Sequence, residues 1–123
     1  MNHEDPIDIQ QKIDTVREHW RPHIIAELNG QEFKVVKLLG EFPWHHHDSI
    51  DELFFGWRGT FRMDFRDRSV TIGPGQCIVV PRGVEHRPVA EHEAEILLFE
   101  PAGVRNTGNV EDDRFTAPGA VYI

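Results

Sequence analysis

Short apolar runs separated by turn residues fill the chain from residue 23 onward, and this pattern constrains the fold most. A run over residues 24–28 meets Asn29-Gly30, the strongest short hairpin signal, and a second run over 33–39 follows. Further runs lie at residues 52–57, 60–66, 70–72, 77–80, 86–89 and 96–99. Strands this short and this regularly punctuated predict an all-β sandwich or barrel of the jelly-roll kind.

A short helix is predicted before the strands. Asp8 is a candidate N-cap, and Ile9, Ile13 and Val16 recur at near-helical spacing until Pro22 ends the pattern. At 123 residues the chain has room for one domain. We therefore predict a helical segment at residues 1–22, a β-barrel at 23–104 and a tail at 105–123. The tail is polar and punctuated by Gly and Pro, so we expect it to run over the surface or to reach another subunit.

Charge and hydropathy argue against several classes of partner. Against 13 basic side chains stand 21 acidic ones, a net charge of −8, which disfavours binding to nucleic acid or to anionic membranes. The sequence lacks the run of about 18 apolar residues that a transmembrane helix needs, and its first residues lack the pattern of a secretory signal. The single cysteine, Cys77, excludes an intramolecular disulfide. These features predict a cytoplasmic protein.

The apolar run that contains Cys77 makes its own prediction. Residues 77–80 are apolar at every position, so we expect the strand to be covered on both faces. Cys77 is then expected to be a small buried residue and not a reactive thiol.

Three consecutive histidines, at positions 45 to 47, suggest a metal site. Imidazole and carboxylate are the usual ligands of a borderline divalent transition metal. In an extended strand His45 and His47 point to one side and His46 to the other, because side chains alternate. We predict that four residues share one ion, namely His45, His47, Glu52 and His86. The alternative is an empty or purely structural pocket.

Two glycine-bounded patterns contain these four residues. The first is Gly40, His45-His46-His47, Glu52 and Gly59, and the second is Gly75, Pro81-Arg82-Gly83 and His86. In this order and at this spacing they resemble the two motifs of the cupin superfamily, specifically those of small single-domain cupins. The spacing from Gly40 also permits a register with His46 and Asp48 as the pair, but imidazoles at both positions favour His45 and His47. Ala90 stands where the second motif usually has Asn, which is not a ligand position.

The resemblance implies a double-stranded β-helix with an ion held by three ring nitrogens and one carboxylate oxygen, and with open coordination positions for substrate or water. The residues do not choose among iron, manganese, nickel and zinc. Metal-dependent enzymes of this family include dioxygenases and isomerases that act on small molecules. The alternative is a non-catalytic module that binds or senses a small ligand around a structural metal. Family resemblance also implies a homodimer.

Four apolar side chains are candidates for lining a substrate pocket next to the ion: Phe54, Phe61, Met63 and Phe65. An ordinary barrel core would use the same side chains, because small barrels fill their interiors.

Overall fold

The computed structural model describes residues 4–119 and 121–123, which contain eight strands and one short helix. The elements are α1 Ile9–Asp14, β1 His23–Leu28, β2 Gln31–Glu41, β3 Glu52–Arg58, β4 Phe61–Phe65, β5 Ser69–Ile72, β6 Cys77–Val80, β7 His86–Pro101 and β8 Val121–Tyr122. The predicted all-β jelly roll with a short N-terminal helix is confirmed. Residues 1–3 of the predicted N-terminal segment and residue 120 of the predicted tail lie outside the described residues.

The first hairpin forms where the sequence predicts it. Asn29 and Gly30 have φ angles of 52° and 76°, the left-handed conformations that a two-residue type I′ turn requires at both central positions. Asn and Gly adopt these angles more readily than other residues, so the turn fixes the antiparallel register that begins at Leu28 and Gln31. This pairing places β2 between β1 and β7.

Strand β7 organises the whole fold. It pairs with β4 through its first residues, with β3 through its last ones, and with β2 along most of its length. The sequence predicted two separate strands here, at 86–89 and 96–99, and that prediction is wrong. Residues 91–93 are polar and exposed, and the register shift between Leu38 and Gly40 accommodates them within one continuous strand.

The hydrogen-bonded ladder does not close into a ring among the described residues. Strand β5 pairs only with β4, and β6 pairs only with β3, so both are edges. The prediction that β6 is covered on both faces is wrong, because an edge strand at the surface turns alternate side chains to solvent. Cys77 and Val79 are exposed, and only Val80 is fully buried.

Alternation along the strands builds two apolar clusters. Val36, Ile96 and Leu98 point into the interior between the layers, whereas their neighbours Val35 and Leu97 point outward. Helix α1 covers that outer face with its apolar stripe, and the side chain of its N-cap residue accepts a hydrogen bond from the Gln11 amide at 2.9 Å. Helix α1 therefore lies at the periphery of the domain.

The tail folds back onto its own domain. Strand β8 pairs in parallel with β1, Thr107 is completely buried, and Phe115 packs edge-on against Trp20 and Phe42. Of the two predicted courses, the structure shows the one over the chain's own surface. Among the described residues, no helix has the length and hydropathy needed to cross a bilayer.

Candidate metal centre

A backbone bridge brings the histidine triplet to the start of β7. The amide of His45 donates to the carbonyl of His86 at 3.0 Å, and the amide of His86 donates back at 2.9 Å. Two residues further along, the carbonyl of His47 accepts from the Gly83 amide at 2.7 Å. The triplet is thus an extended segment held against the β6–β7 turn, and not part of a regular strand.

Four side chains converge inside this arrangement and form what we call the His/Glu cluster: His45, His47, Glu52 and His86. One ligand atom from each lies within 4.8 Å of all the others, and all four residues are buried. The Oε1 atom of Glu52 is 3.4 Å from Nε2 of His47 and 3.5 Å from Nε2 of His86. The four predicted ligands therefore meet, although they come from three separate parts of the sequence.

The structure does not place the alternative ligand pair, His46 and Asp48, in the cluster. His46 points away from the cluster, and its Nε2 atom lies 2.9 Å from the carboxylate of exposed Asp48. This contrast between neighbouring imidazoles follows from the extended backbone of the triplet, because adjacent side chains face opposite sides.

Backbone carbonyls fix the orientation of two imidazoles. The Nδ1–H of His45 donates to the Pro43 carbonyl at 2.8 Å, and that of His86 donates to the Val84 carbonyl at 2.9 Å. Each ring is left with Nε2 as the nitrogen with a free lone pair, which is the tautomer that a metal ligand needs. Burial, together with the nearby His86 ring, lowers the pKa of His45 to about 3, so the ring is neutral at physiological pH.

Three atoms of the His/Glu cluster lack hydrogen-bond partners among the described residues. They are Nε2 of His47, Nε2 of His86 and Oε1 of Glu52, all fully buried. An unsatisfied buried polar group costs about 1–3 kcal/mol, so three atoms facing one another form an unfavourable arrangement unless something binds between them. A divalent transition cation would satisfy all three at once, and the donor set of three nitrogens and one oxygen fits such an ion.

Glu52 has a second carboxyl group beside it. Burial raises the pKa of Glu52, but the adjacent Glu100 carboxyl group and the two nearby histidines outweigh that effect, so the net pKa lies well below its usual range. Burial and the Glu52 carboxylate raise the pKa of Glu100 well above its usual range. The pKa values of the two carboxyl groups are therefore shifted in opposite directions, and Glu52 is the more acidic of the pair.

An apolar cavity opens beside the cluster. Its lining consists of Trp20, Pro22, Val36, Leu38, Phe42, His45, Glu52, Phe54, Pro88, Ile96, Leu98 and Asn106. The cavity is narrow, about 30 Å³, and so has room for about two water molecules. Of the four predicted pocket residues, Phe54 lies in this lining, whereas Phe61, Met63 and Phe65 pack in or against the surrounding core.

The sequence did not identify Trp20 as part of the cavity wall. Its φ of 65° is unusual for a bulky residue, and it is held by hydrogen bonds from its backbone amide to the Lys37 carbonyl and from its indole to the Leu39 carbonyl. The Asn106 amide from the tail donates to the carbonyls of Trp20 and Phe115. Since its own oxygen accepts from the Ala117 amide, Asn106 braces the wall and has no group free for a ligand.

Two buried charged residues near the cluster were also missed, and their positions carried a signal. Lys34 shares the inward face of β2 with Val36 and Leu38, two and four residues along. Glu100 shares the inward face of β7 with Leu98 in the same way. A charged side chain in phase with core residues is predicted to be buried by the period-two rule.

The tail also supports the histidine triplet, and the spacing of residues in the sequence did not predict this contact. The Asn109 side chain accepts from the His46 amide at 2.8 Å, and the Asn109 amide donates to the His46 carbonyl at 3.0 Å. Gly108, with a φ of 57°, passes so close that a Cβ atom there would overlap the His46 carbonyl and approach the His45 ring to 3.1 Å. The backbone of the triplet is thus clamped between β7 and the tail.

Comparison with known proteins gives close similarity over most of the chain. Protein YdbB of Bacillus subtilis (strain 168) is 32% identical over 96 residues, which are 69% of this chain and 85% of YdbB. A cupin-2 domain protein of Shewanella frigidimarina NCIMB 400 is 43% identical, with a TM-score of 0.76 over 77% of this chain and 93% of that one. Protein NMB1881 of Neisseria meningitidis is 37% identical, with a TM-score of 0.73 over 80% of this chain and all of that one.

A family-level comparison agrees with the predicted motifs. The sequence profile described as "Cupin domain" matches residues 33–100, more than half of the chain. The matched segment runs from β2 nearly to the end of β7 and includes every member of the His/Glu cluster. The chain therefore belongs to the cupin domain family.

Proposed function

We propose that this cupin is a metal-dependent enzyme that acts on a small molecule bound in the apolar cavity. One observation carries the proposal: the His/Glu cluster, which contains three buried atoms without hydrogen-bond partners, adjoins that cavity. His45 and Glu52 belong to both the His/Glu cluster and the cavity lining, so a ligand in the cavity lies next to the ion.

The four cluster residues have separate tasks in holding the ion. His45, His47 and His86 offer neutral ring nitrogens, and Glu52 offers Oε1 and one negative charge. Four protein ligands leave one or two positions of a five- or six-coordinate ion open to substrate or water. Bound there, iron, manganese, nickel or zinc would polarise a chelating oxygen group, and iron or manganese would also permit oxygen chemistry.

The cavity lining favours an uncharged or weakly charged substrate with an apolar body. Among the described residues, no Lys or Arg contributes to the lining, so nothing there would neutralise a phosphate or a second carboxylate. The body of such a substrate would contact Phe54, Leu38 and the other apolar walls, while one or two oxygens face the ion. This chemistry favours enols and diols over sugar phosphates as substrates.

Element analysis and turnover assays test the proposal in that order. X-ray emission from purified protein identifies the bound element, which separates redox from non-redox chemistry. Oxygen uptake and substrate loss are then followed with small aliphatic enols and diols, because the cavity is narrow. We expect turnover by the wild-type protein and none by a double variant, His45→Ala/His86→Ala; equal turnover by the double variant would refute the metal role.

A second candidate function is supported by one feature of the cavity. Its lining contains no titratable side chain outside the His/Glu cluster among the described residues, so no separate acid or base faces a ligand. A module that binds a small molecule around a structural metal would need nothing more. A ligand retained through purification, detected by mass spectrometry and left unchanged by added oxygen and metal, would favour this candidate over the enzyme.

We also propose a homodimer, with a revised basis. The tail, for which one predicted course led to another subunit, pairs with β1 of its own chain. Strands β5 and β6 both offer an open edge, and we favour β6 for strand pairing between subunits because it also exposes Val79. Light scattering on the purified protein measures the mass, and Val79→Lys is expected to shift a dimer toward monomer.

A further inference from the structure

Beyond the metal ligands, a buried row of carboxyl groups crosses three neighbouring strands. Glu32 of β2 is the register partner of Glu100 of β7, and the pairing of Leu53 with Phe99 places Glu52 of β3 on the other side of Glu100. We call Glu32, Glu100 and Glu52 the carboxyl row. All three side chains are buried.

One buried ammonium group anchors this row. Lys34, two residues from Glu32 on the same strand face, is only 1% exposed. Its Nζ atom lies 2.9 Å from Oε1 of Glu100 and 3.3 Å from Oε1 of Glu32. Lys34 thereby holds Glu100 in the middle of the row, beside Glu52. The second carboxyl oxygen of Glu100, Oε2, is buried and has no hydrogen-bond partner among the described residues.

Stability alone does not explain why the carboxyl row and Lys34 are buried. Desolvating several charged side chains is costly, and apolar residues of similar volume often stabilise a core as well or better. Neighbouring inward positions, such as Val36 on β2 and Leu98 on β7, are filled by apolar side chains. The carboxyl row ends at Glu52, whose Oε1 atom faces the proposed metal site.

We propose that Glu100, anchored by Lys34, is a positioning residue that fixes the Glu52 carboxylate so that its free oxygen faces the metal ion. The inference rests on the proposed metal site and adds residues that are not ligands. A partner that orients a ligand typically changes metal affinity by about 10- to 100-fold.

Cobalt(II) binding to the metal-free protein tests this role. Affinity is measured by competition with a chromophoric chelator, the ligand geometry by the visible absorption of bound Co²⁺, and folding by the urea midpoint of the metal-free protein. The variants are Glu100→Gln, Glu100→Leu and the apolar pair Lys34→Met/Glu100→Leu. Glu95→Leu is the matched control, because Glu95 is a buried carboxylate on the same strand outside the cluster.

We expect Glu100→Leu and the apolar pair to weaken Co²⁺ binding by about 10- to 100-fold and to alter the Co²⁺ spectrum. Glu100→Gln, which can still donate to Glu52 and accept from Lys34, should stay within a few-fold of wild type. Because the apolar pair also removes the cation beside buried Glu32, its urea midpoint is compared with that of Glu100→Leu, and weaker binding is assigned to lost positioning only in a variant that stays folded without metal. Glu95→Leu should leave both affinity and spectrum unchanged.

Two contrary outcomes are distinguishable. If wild type binds Co²⁺ and the apolar pair binds equally well with the same spectrum, Glu100 has no positioning role, although the metal site stands. If wild type itself binds no divalent metal, the proposed function fails and this inference fails with it.

Discussion

His45 and His86 exchange both backbone hydrogen bonds across the domain, and their rings lie 4.3 Å apart between centroids. The two residues are distant in sequence, so the folded jelly roll alone creates this pair of imidazoles. An ion bound between them binds the folded state and not the unfolded chain. Metal binding and folding are therefore linked.

This linkage predicts how a ligand variant behaves. His86→Ala should lose the metal-dependent part of stability, which is about 2.7 kcal/mol when free metal is 100 times the dissociation constant. His46→Ala is the matched control, since His46 belongs to the same triplet but faces Asp48 at the surface. Thermal unfolding with metal and with chelator measures the difference. An equal metal-induced shift in both variants would contradict the assigned ligand set.

The clamp on the histidine triplet predicts a strong effect of a single methyl group. Gly108→Ala should weaken metal binding and lower stability, because its Cβ would push against the His46 carbonyl and the His45 ring. Gly103→Ala is the control: Gly103 also has a positive φ, 82°, but a Cβ atom added there would meet no other atom within 4 Å. Both variants bear the conformational cost of about 1–2 kcal/mol, and only Gly108→Ala bears the overlap. Urea midpoints and metal affinity of the two, compared directly, separate these effects.

The hydrogen bonds of Asp64 predict part of the loss of stability at low pH. Its carboxylate accepts from Arg62 Nε at 2.5 Å, from Ser69 Oγ at 2.7 Å and from Arg87 Nε at 3.0 Å. The Arg62 hydrogen bond is the main reason that the pKa of Asp64 falls to about 2. A lowered pKa adds stability above the unfolded-state value of about 3.9, and that stability disappears as the pH falls through about 2.

The expected contribution of Asp64 is about 1–2 kcal/mol after allowance for solvent screening. Wild type should lose this contribution between about pH 4 and pH 2. Asp64→Asn should lack it already at neutral pH, so its free energy of unfolding should fall less steeply as the pH is lowered. Urea unfolding across this range, with metal removed by chelator, measures both curves. Parallel curves with equal acid slopes would show that Asp64 is not the group responsible.

The exposed edge strand predicts an accessible thiol. Cys77 should react stoichiometrically with a disulfide reagent in the native state, because its side chain faces solvent on β6. The reaction should proceed without added denaturant, and Cys77→Ser should abolish it while leaving the urea midpoint nearly unchanged. Protection of the thiol at high protein concentration, with release on dilution, would locate a subunit contact on this edge.

Local sequence determined the features that depend on neighbouring residues. Asn29-Gly30 fixed the first hairpin because few other pairs accept two left-handed conformations, and Asp8 began the helix through its own side chain. The ligand types and the opposite directions of His45 and His46 followed from motif spacing and from the alternation of side chains along an extended backbone.

Tertiary structure alone decided which strand is an edge, where the tail lies and what surrounds the cluster. The apolar composition of β6 could not reveal that Cys77 and Val79 face solvent, because exposure depends on what packs against each face of the folded sheet. Likewise, Glu100 meets Glu52 only through the register of β7 with β3, which is set by pairing energies summed over whole strands. The sequence named the groups that can bind a metal, and the fold determined which other groups hold them in place.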